Sequence, residues 1–144
     1  MSVNVDPVLA AALAPVLRDL DVGHVPEPRI GDPRPDFYPG SPNLTLIGAD
    51  DTAWAVRLKA DAPRAEQLAH LADQVQEWAI ELLWALGRPA VWPECPDHPD
   101  SHPLQTNVVD EYTPTATAVW SCPQSGHVVA RIGELSEAGR TGPG

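Results

Sequence analysis

Residues 62–86, APRAEQLAHLADQVQEWAIELLWAL, constrain the fold of this chain most strongly, because their apolar positions recur with helical spacing. The steps along the stripe alternate between three and four residues, which keeps every member on one helix face. The members of the stripe are Ala65, Leu68, Ala72, Val75, Ala79, Leu82 and Leu86. Asp61 suits an N-cap, Pro63 suits the first turn and Gly87 favours termination. The sequence therefore predicts one long amphipathic helix.

The apolar stripe of this helix has two interpretations. It can pack on the sheet of the hairpin predicted at residues 44–59, or its heptad-like step can form the seam of a homodimer through residues 65–86. Ile80, Leu83 and Trp84 lie partly off the stripe. A helix that is apolar on two sides contacts two neighbours, so a second layer or a partner is implied.

The segments before this helix carry three different patterns. Residues 6–20 predict a first helix, capped by Asp6, with Pro15 as a point where it can kink. Residues 22–43 are rich in proline and glycine and predict an extended arm with room for one short strand. Residues 44–59 alternate apolar and polar positions on both sides of a GADD turn, which predicts a β-hairpin with one apolar face.

The C-terminal part predicts a loop followed by a second hairpin. Residues 88–114 have loop character. Two apolar segments, 115–122 and 127–132, flank the turn PQSG and predict paired strands. Residues 136–144 predict a flexible tail.

These patterns together predict a single α+β domain over residues 1–135. Its expected order is an N-terminal helix, a β-hairpin, the long helix and a C-terminal hairpin. A chain of 144 residues is long enough for one core and short for two. The hairpin and helix of 44–86 would form the core, and 92–132 would form a separate ribbon-like region of that domain.

The formal charge of −11 disfavours binding to nucleic acid, because an acidic surface repels phosphate backbones. This charge can serve solubility alone. It can also form an acidic surface for a basic partner, or mimic nucleic acid.

The N-terminal sequence has no basic region ahead of an apolar run, and Pro15 interrupts its apolar residues. No stretch reaches the roughly 18 apolar residues that a membrane span requires. We therefore expect a cytoplasmic protein without a membrane segment. In that compartment Cys95 and Cys122 are expected as thiols or metal ligands rather than as a disulfide.

A candidate metal site begins in residues 95–104, CPDHPDSHPL. Cys95 and His98 have C-x2-H spacing, and His102 adds H-x3-H spacing, which is common in zinc sites. Cys122 supplies a second sulfur ligand, and Ser125, where its pair would usually fall, is a poor zinc ligand, so the fourth ligand is His102 or, at C-x4-H spacing from Cys122, His127. We predict a zinc site of Cys95, His98, His102 and Cys122, with His127 as the reserve ligand. A metal-free packed module and a Cys95–Cys122 disulfide are the alternatives.

The segments CPDH at 95–98 and CPQSG at 122–126 resemble the two knuckles of a zinc ribbon, over residues 92–132. The chain departs from that family because His98 stands in place of the usual cysteine and Ser125 interrupts the second pair. The resemblance implies a structural zinc ion that supports contacts with nucleic acid or protein. The wider pattern, WPxCPxHxxxHPL followed by WxCP, is also similar to small bacterial proteins of uncharacterised function, which implies no activity.

The expected function follows from the number of protein ligands. Four ligands close the site and make the zinc structural, whereas three would leave a place for a reactive water near Glu94, Asp97 or Asp100. The chain has no HExxH, deaminase or G-x-S-x-G motif, and a nucleophile pair of Cys122 with His127 is a minor alternative. We expect a small acidic noncatalytic adaptor with structural zinc, presenting a surface to a protein partner. The alternatives are a small zinc-dependent hydrolase and a metal-handling protein.

Overall fold

A computed structural model describes residues 6–34, 36, 39–99 and 101–136 of the chain. Within these residues the elements are α1 (Pro7–Val22), β1 (Arg29–Gly31), β2 (Asn43–Ile47), β3 (Ala53–Arg57), α2 (Arg64–Ala85), β4 (Gln105–Val109), β5 (Thr117–Ser121) and β6 (Val128–Arg131). The predicted α+β class and the order of helices and hairpins are confirmed. Asp100 lies outside the described residues, and so does the predicted flexible tail apart from Ser136.

The strands form two antiparallel three-stranded sheets. The N-terminal sheet has the order β1-β2-β3, and Leu46 on its central strand lies opposite Ile30 and Trp54. The C-terminal sheet has the order β4-β5-β6, so β5 is its central strand. The hairpin predicted at 44–59 and the short strand predicted in the arm are both present.

Helix α1 begins where the sequence predicts. The carboxylate of Asp6 accepts hydrogen bonds from the backbone N–H groups of Val8 (2.9 Å) and Leu9 (3.2 Å), and Pro7 occupies the first helical position. This arrangement satisfies donors that have no partner within the helix. The helix continues through Pro15. Its buried apolar residues are Leu9, Leu13, Val16 and Leu20.

Helix α2 begins later than predicted, because Pro63 and not Asp61 is its N-cap, and no side chain caps the first turn. Glu66 lies in that turn, where a negative charge favours the helix dipole. The helix ends before Gly87, whose φ of +71° suits glycine at that position.

The two-sided apolar character of α2 is explained by its neighbours. The helix contacts α1, β3 of the N-terminal sheet, and β4 and β5 of the C-terminal sheet. The central stripe residues Ala72, Val75 and Ala79 are fully buried within the single chain. This part of the face is therefore buried within the chain, where the first hairpin sheet is one neighbour of the helix beside α1 and the C-terminal sheet. The other interpretation, a homodimer seam through residues 65–86, stays an untested hypothesis.

Strand β4 lies in the segment that the sequence predicts as loop, and that prediction is wrong. Gln105 and Asn107 are exposed, whereas Thr106, Val108 and Val109 are half-buried. β4 lies at the edge of its sheet, so it buries little surface and shows only a weak apolar alternation. Pairing with β5 supplies the stabilisation that the local sequence does not show.

None of the helices in the described part of the chain is long and apolar enough to cross a membrane.

Candidate metal centre

The candidate centre is built on residues 92–104, here called the metal loop. The backbone N–H of Leu104 donates to the carbonyl of Pro93 (2.8 Å), and Glu94 forms a β-bridge with Pro103. These contacts close the base of the loop. The amide of Gln76, a buried residue of α2, donates to the carbonyls of Trp92 (3.1 Å) and Leu104 (2.6 Å). Both ends of the loop are thereby fixed to the long helix.

A buried aspartate connects the metal loop with α1 and the C-terminal segment. The indole N–H of Trp92 donates to the backbone carbonyl of Asp19 (3.3 Å). The carboxylate of Asp19 accepts from the indole of Trp120 (2.9 Å) and from the backbone N–H groups of Gly133 (2.6 Å) and Leu135 (3.2 Å). Burial raises the pKa of Asp19, although these hydrogen bonds act in the opposite direction.

Each cysteine lies at the start of a tight turn. In the first turn the N–H of His98 donates to the carbonyl of Cys95 (3.2 Å). Cys122 directly follows β5, and its carbonyl accepts from the N–H of Gly126 (2.8 Å). Gly126 has a φ of +78°, which glycine adopts without strain. The two turns bring Cys95 and Cys122 to one place although 27 positions separate them in the sequence.

The four predicted ligands lie together. One ligand atom from each of Cys95, His98, His102 and Cys122 falls within 4.8 Å of the other three. Nδ1 of His98 lies 3.6 Å from Sγ of Cys95 and 3.5 Å from Sγ of Cys122. Nε2 of His102 lies 3.9 Å from Sγ of Cys122 and 3.1 Å from Nδ1 of His98. The cysteines are buried and the histidines are half-buried.

These distances match a tetrahedral ion. With zinc–sulfur bonds of about 2.3 Å and zinc–nitrogen bonds of about 2.05 Å, tetrahedral angles separate sulfur from nitrogen by ~3.6 Å and nitrogen from nitrogen by ~3.4 Å. The three distances from His98 Nδ1 or His102 Nε2 to a cysteine sulfur, 3.5–3.9 Å, and the 3.1 Å between the two nitrogens lie within ~0.4 Å of these values. The other two of the six pairs lie within 4.8 Å, so the four residues could hold a metal ion.

The surroundings orient one of the histidine rings. Nδ1 of His102 lies 3.1 Å from the carbonyl oxygen of Pro103 and can donate its proton there. That hydrogen bond leaves Nε2 unprotonated and directed at the cluster, which is the tautomer that a metal ligand needs.

Backbone N–H groups face both sulfur atoms. The N–H groups of Asp97 and His98 point at Cys95, and those of Gln124 and Ser125 point at Cys122, where the Ser125 N–H lies 3.4 Å from Sγ. A side-chain hydrogen bond from Ser125 lowers the pKa of the Cys122 thiol to about 6, whereas burial raises the pKa of Cys95. Both cysteines are free thiols, and no disulfide joins them. The N–H groups favour the thiolate form that binds metal.

The reserve ligand His127 lies outside the four-residue cluster. Its Nδ1 contacts Oδ2 of Asp97 at 2.9 Å, and both side chains are exposed. This contact links the two turns on their outer side. His127 is therefore oriented by Asp97, and no contact of the nucleophile-pair type joins it to Cys122.

Asp19 and Gln76 position the site, and the sequence analysis did not identify them. In the sequence each is marked only as a polar residue next to an apolar position of a helix. Asp19 precedes Leu20, and Gln76 follows Val75. A buried polar group needs a hydrogen-bond partner, but the spacing does not show where the partner lies.

A scan against protein-family models found no matching family, and searches of curated proteins and of solved structures found no match for this chain.

Proposed function

We propose that this chain is a noncatalytic binding protein in which a structural zinc ion, held by Cys95, His98, His102 and Cys122, fixes the metal loop against the C-terminal sheet. The observation that carries the proposal is the group of four ligand atoms within 4.8 Å of one another, at spacings that fit a tetrahedral ion. Two sulfurs and two imidazole nitrogens are a donor set that zinc prefers.

The number of protein ligands supports a structural role over a catalytic one. A hydrolytic zinc site keeps one position open for water, whereas four protein ligands fill the tetrahedron. The burial of both sulfur atoms also favours a slowly exchanging ion over one that is passed to another protein.

The likeness to a zinc ribbon is a finer part of the proposal. Two turns that begin Cys-Pro each direct backbone N–H groups at a sulfur atom, and the second turn connects two antiparallel strands. The chain departs from the ribbon pattern in its fourth ligand, because His102 of the metal loop takes the place that Ser125 cannot fill.

The acidic charge supports a binding role. The chain carries 20 acidic and nine basic residues, and this balance favours a basic protein partner over nucleic acid. We propose an adaptor that works in the cytoplasm, where both thiols stay reduced and available to the metal.

Native mass spectrometry with elemental analysis tests the metal site on protein purified without a metal-affinity column. The expected result is one zinc ion per chain. Zinc absent from folded protein would overturn the proposal, and zinc removed by mild chelation without a change in melting temperature would indicate a metal carrier.

A matched pair of histidine variants tests the ligand set. His102→Gln should lower both the zinc content and the melting temperature, because it removes a ligand and its share of the binding energy that stabilises the fold. His127→Gln is the control, since it changes an exposed imidazole outside the cluster and should keep one zinc ion. Loss of zinc in His127→Gln with retention in His102→Gln would contradict the assignment.

A further inference from the structure

A cavity of about 820 Å³ lies beside the metal loop. Its walls come from the end of α1, the segment after α2, the metal loop itself, β6 and the residues that follow β6. Trp92 lines the cavity and is buried, so its ring belongs to the floor. We call this cavity the metal-side groove.

The walls of the metal-side groove are mainly apolar and stiff. Pro89, Pro93 and Pro96 line it from the loop side, and Val129 and Ala130 line it from β6. Prolines limit the backbone freedom of the wall, so little entropy is lost when a ligand enters. An extended peptide segment, whose alternate side chains point to one face, finds apolar surface here.

The charged residues of the groove are predominantly acidic. Glu94, Asp97 and Glu134 line it, against Arg88 as the one permanently charged base among its lining residues. The guanidinium of Arg88 donates to the carbonyl of His24 (3.2 Å). The groove therefore has the same sign of charge as the whole chain. A cationic ligand is attracted both by the groove carboxylates and by the net negative charge of the protein.

We propose that the metal-side groove binds a short segment of a protein partner in which arginine or lysine residues alternate with apolar residues. The apolar side chains would cover the proline wall and Trp92, and the cationic side chains would face Glu94 and Glu134. This inference rests on the proposed function for its premise that the chain acts by binding a protein, and it names the surface and the partner chemistry.

The metal centre holds one wall of this groove. Pro96 and Asp97 line the groove and lie between the two ligands Cys95 and His98. Asp97 also contacts His127, a further lining residue, at 2.9 Å. Loss of the metal would release this wall, so partner binding should depend on the zinc that fixes it.

Fluorescence anisotropy with defined peptides tests the proposal. The probe is a short fluorescein-labelled peptide of alternating arginine and leucine, and the matched probe alternates glutamate and leucine. Zinc-loaded protein should bind the first peptide and leave the second unbound. Chelation should weaken binding of the arginine peptide, because the loop wall is then free to move.

Groove variants distinguish peptide binding in the groove from nonspecific attraction of the peptide by the acidic protein surface. Ala130→Trp should abolish binding by filling the groove, and Glu134→Gln should raise the dissociation constant about threefold, as expected for one exposed charge contact. Glu77→Gln is the control, since Glu77 is an exposed carboxylate of α2 that does not line the groove. If Ala130→Trp does not fold, Glu134→Arg is the second variant. It reverses a charge at an exposed lining residue without placing a large side chain inside the groove, and it should weaken binding of the arginine peptide.

Three results would overturn the groove assignment. They are no binding of the arginine peptide, equal binding of both peptides, and equal binding by the wild type and the Glu134→Arg variant. Zinc content measured on the same samples keeps the two proposals apart. Zinc-loaded protein without peptide binding overturns the groove alone, whereas folded protein without zinc overturns the metal centre whatever the peptide does.

Discussion

The substitution Asp19→Asn tests the buried contact that joins α1, β5 and the C-terminal segment. Oδ2 of Asp19 accepts from the indole of Trp120 and the N–H of Gly133, and Oδ1 accepts from the N–H of Leu135. The guanidinium of Arg18 also donates to Oδ1 (3.3 Å), but its side chain is 59% exposed, so the three buried donors dominate the loss. Asparagine has nearly the same size but only one accepting oxygen. The amide therefore keeps two of these hydrogen bonds at best and turns an N–H group towards the third donor.

The expected loss follows from these three contacts. A buried N–H left without a partner costs about 1–3 kcal/mol, and two hydrogen bonds that change from charged to neutral lose about 1 kcal/mol each. Removing a buried charge returns part of this loss, since burial already raises the pKa of Asp19. The free energy of unfolding should fall by about 2–4 kcal/mol.

Urea unfolding at pH 7, followed by tryptophan fluorescence, measures this difference. Zinc is added to both proteins at the same excess, so that any bound metal contributes equally to each unfolding free energy. Asp21→Asn is the control, because Asp21 lies on the same helix with its side chain exposed, and a change within about 0.5 kcal/mol is expected there. A loss for Asp19→Asn no larger than that of the control would refute the argument that these hydrogen bonds hold the C-terminal segment.

Three further predictions follow from single residues and from the packing of α2. Ser121→Ala should raise the unfolding free energy by about 0.5–1 kcal/mol in denaturant titrations, because Ser121 Oγ is buried without a hydrogen-bond partner among the described residues; a loss of stability would show that the hydroxyl is satisfied. Burial and the charge of Lys59 lower the pKa of His70, so the folded state binds its proton less readily than the unfolded state. The wild type should therefore lose stability relative to His70→Gln as the pH falls below about 6.5, and a constant difference between pH 7.5 and pH 5.5 would contradict this. Light scattering should give a monomer of 15.4 kDa, because the centre of the α2 stripe is buried within one chain. Twice that mass would instead support a homodimer through residues 65–86.

The helices and the first hairpin could be predicted because their signals are local. The cap at Asp6 and the 3–4 spacing of the α2 stripe depend on residues within a few turns of one another. Strand β4 and the N-cap of α2 could not be predicted in this way. An edge strand such as β4 takes its stability from pairing with β5, and α2 begins after Pro63 without help from the side chain of Asp61.

The donor types and the first half of the candidate centre follow from residue types and spacing. Cys95, His98 and His102 lie on one short loop, so their spacing alone places them within reach of a common ion. With Cys122 as the second sulfur, the spacing left two histidines, His102 and His127, as candidates for the fourth position.

The fold brings His102, and not His127, into one group with Cys95, His98 and Cys122. Pairing of β5 between β4 and β6, with Trp120 hydrogen-bonded to Asp19, directs Cys122 to the metal loop, while Asp97 orients His127 on the outer side. The metal loop reaches this position because Gln76 of α2 binds the carbonyls at both of its ends. The physical reason is that buried polar groups must find partners, and those partners are chosen by packing between elements that are distant in the sequence.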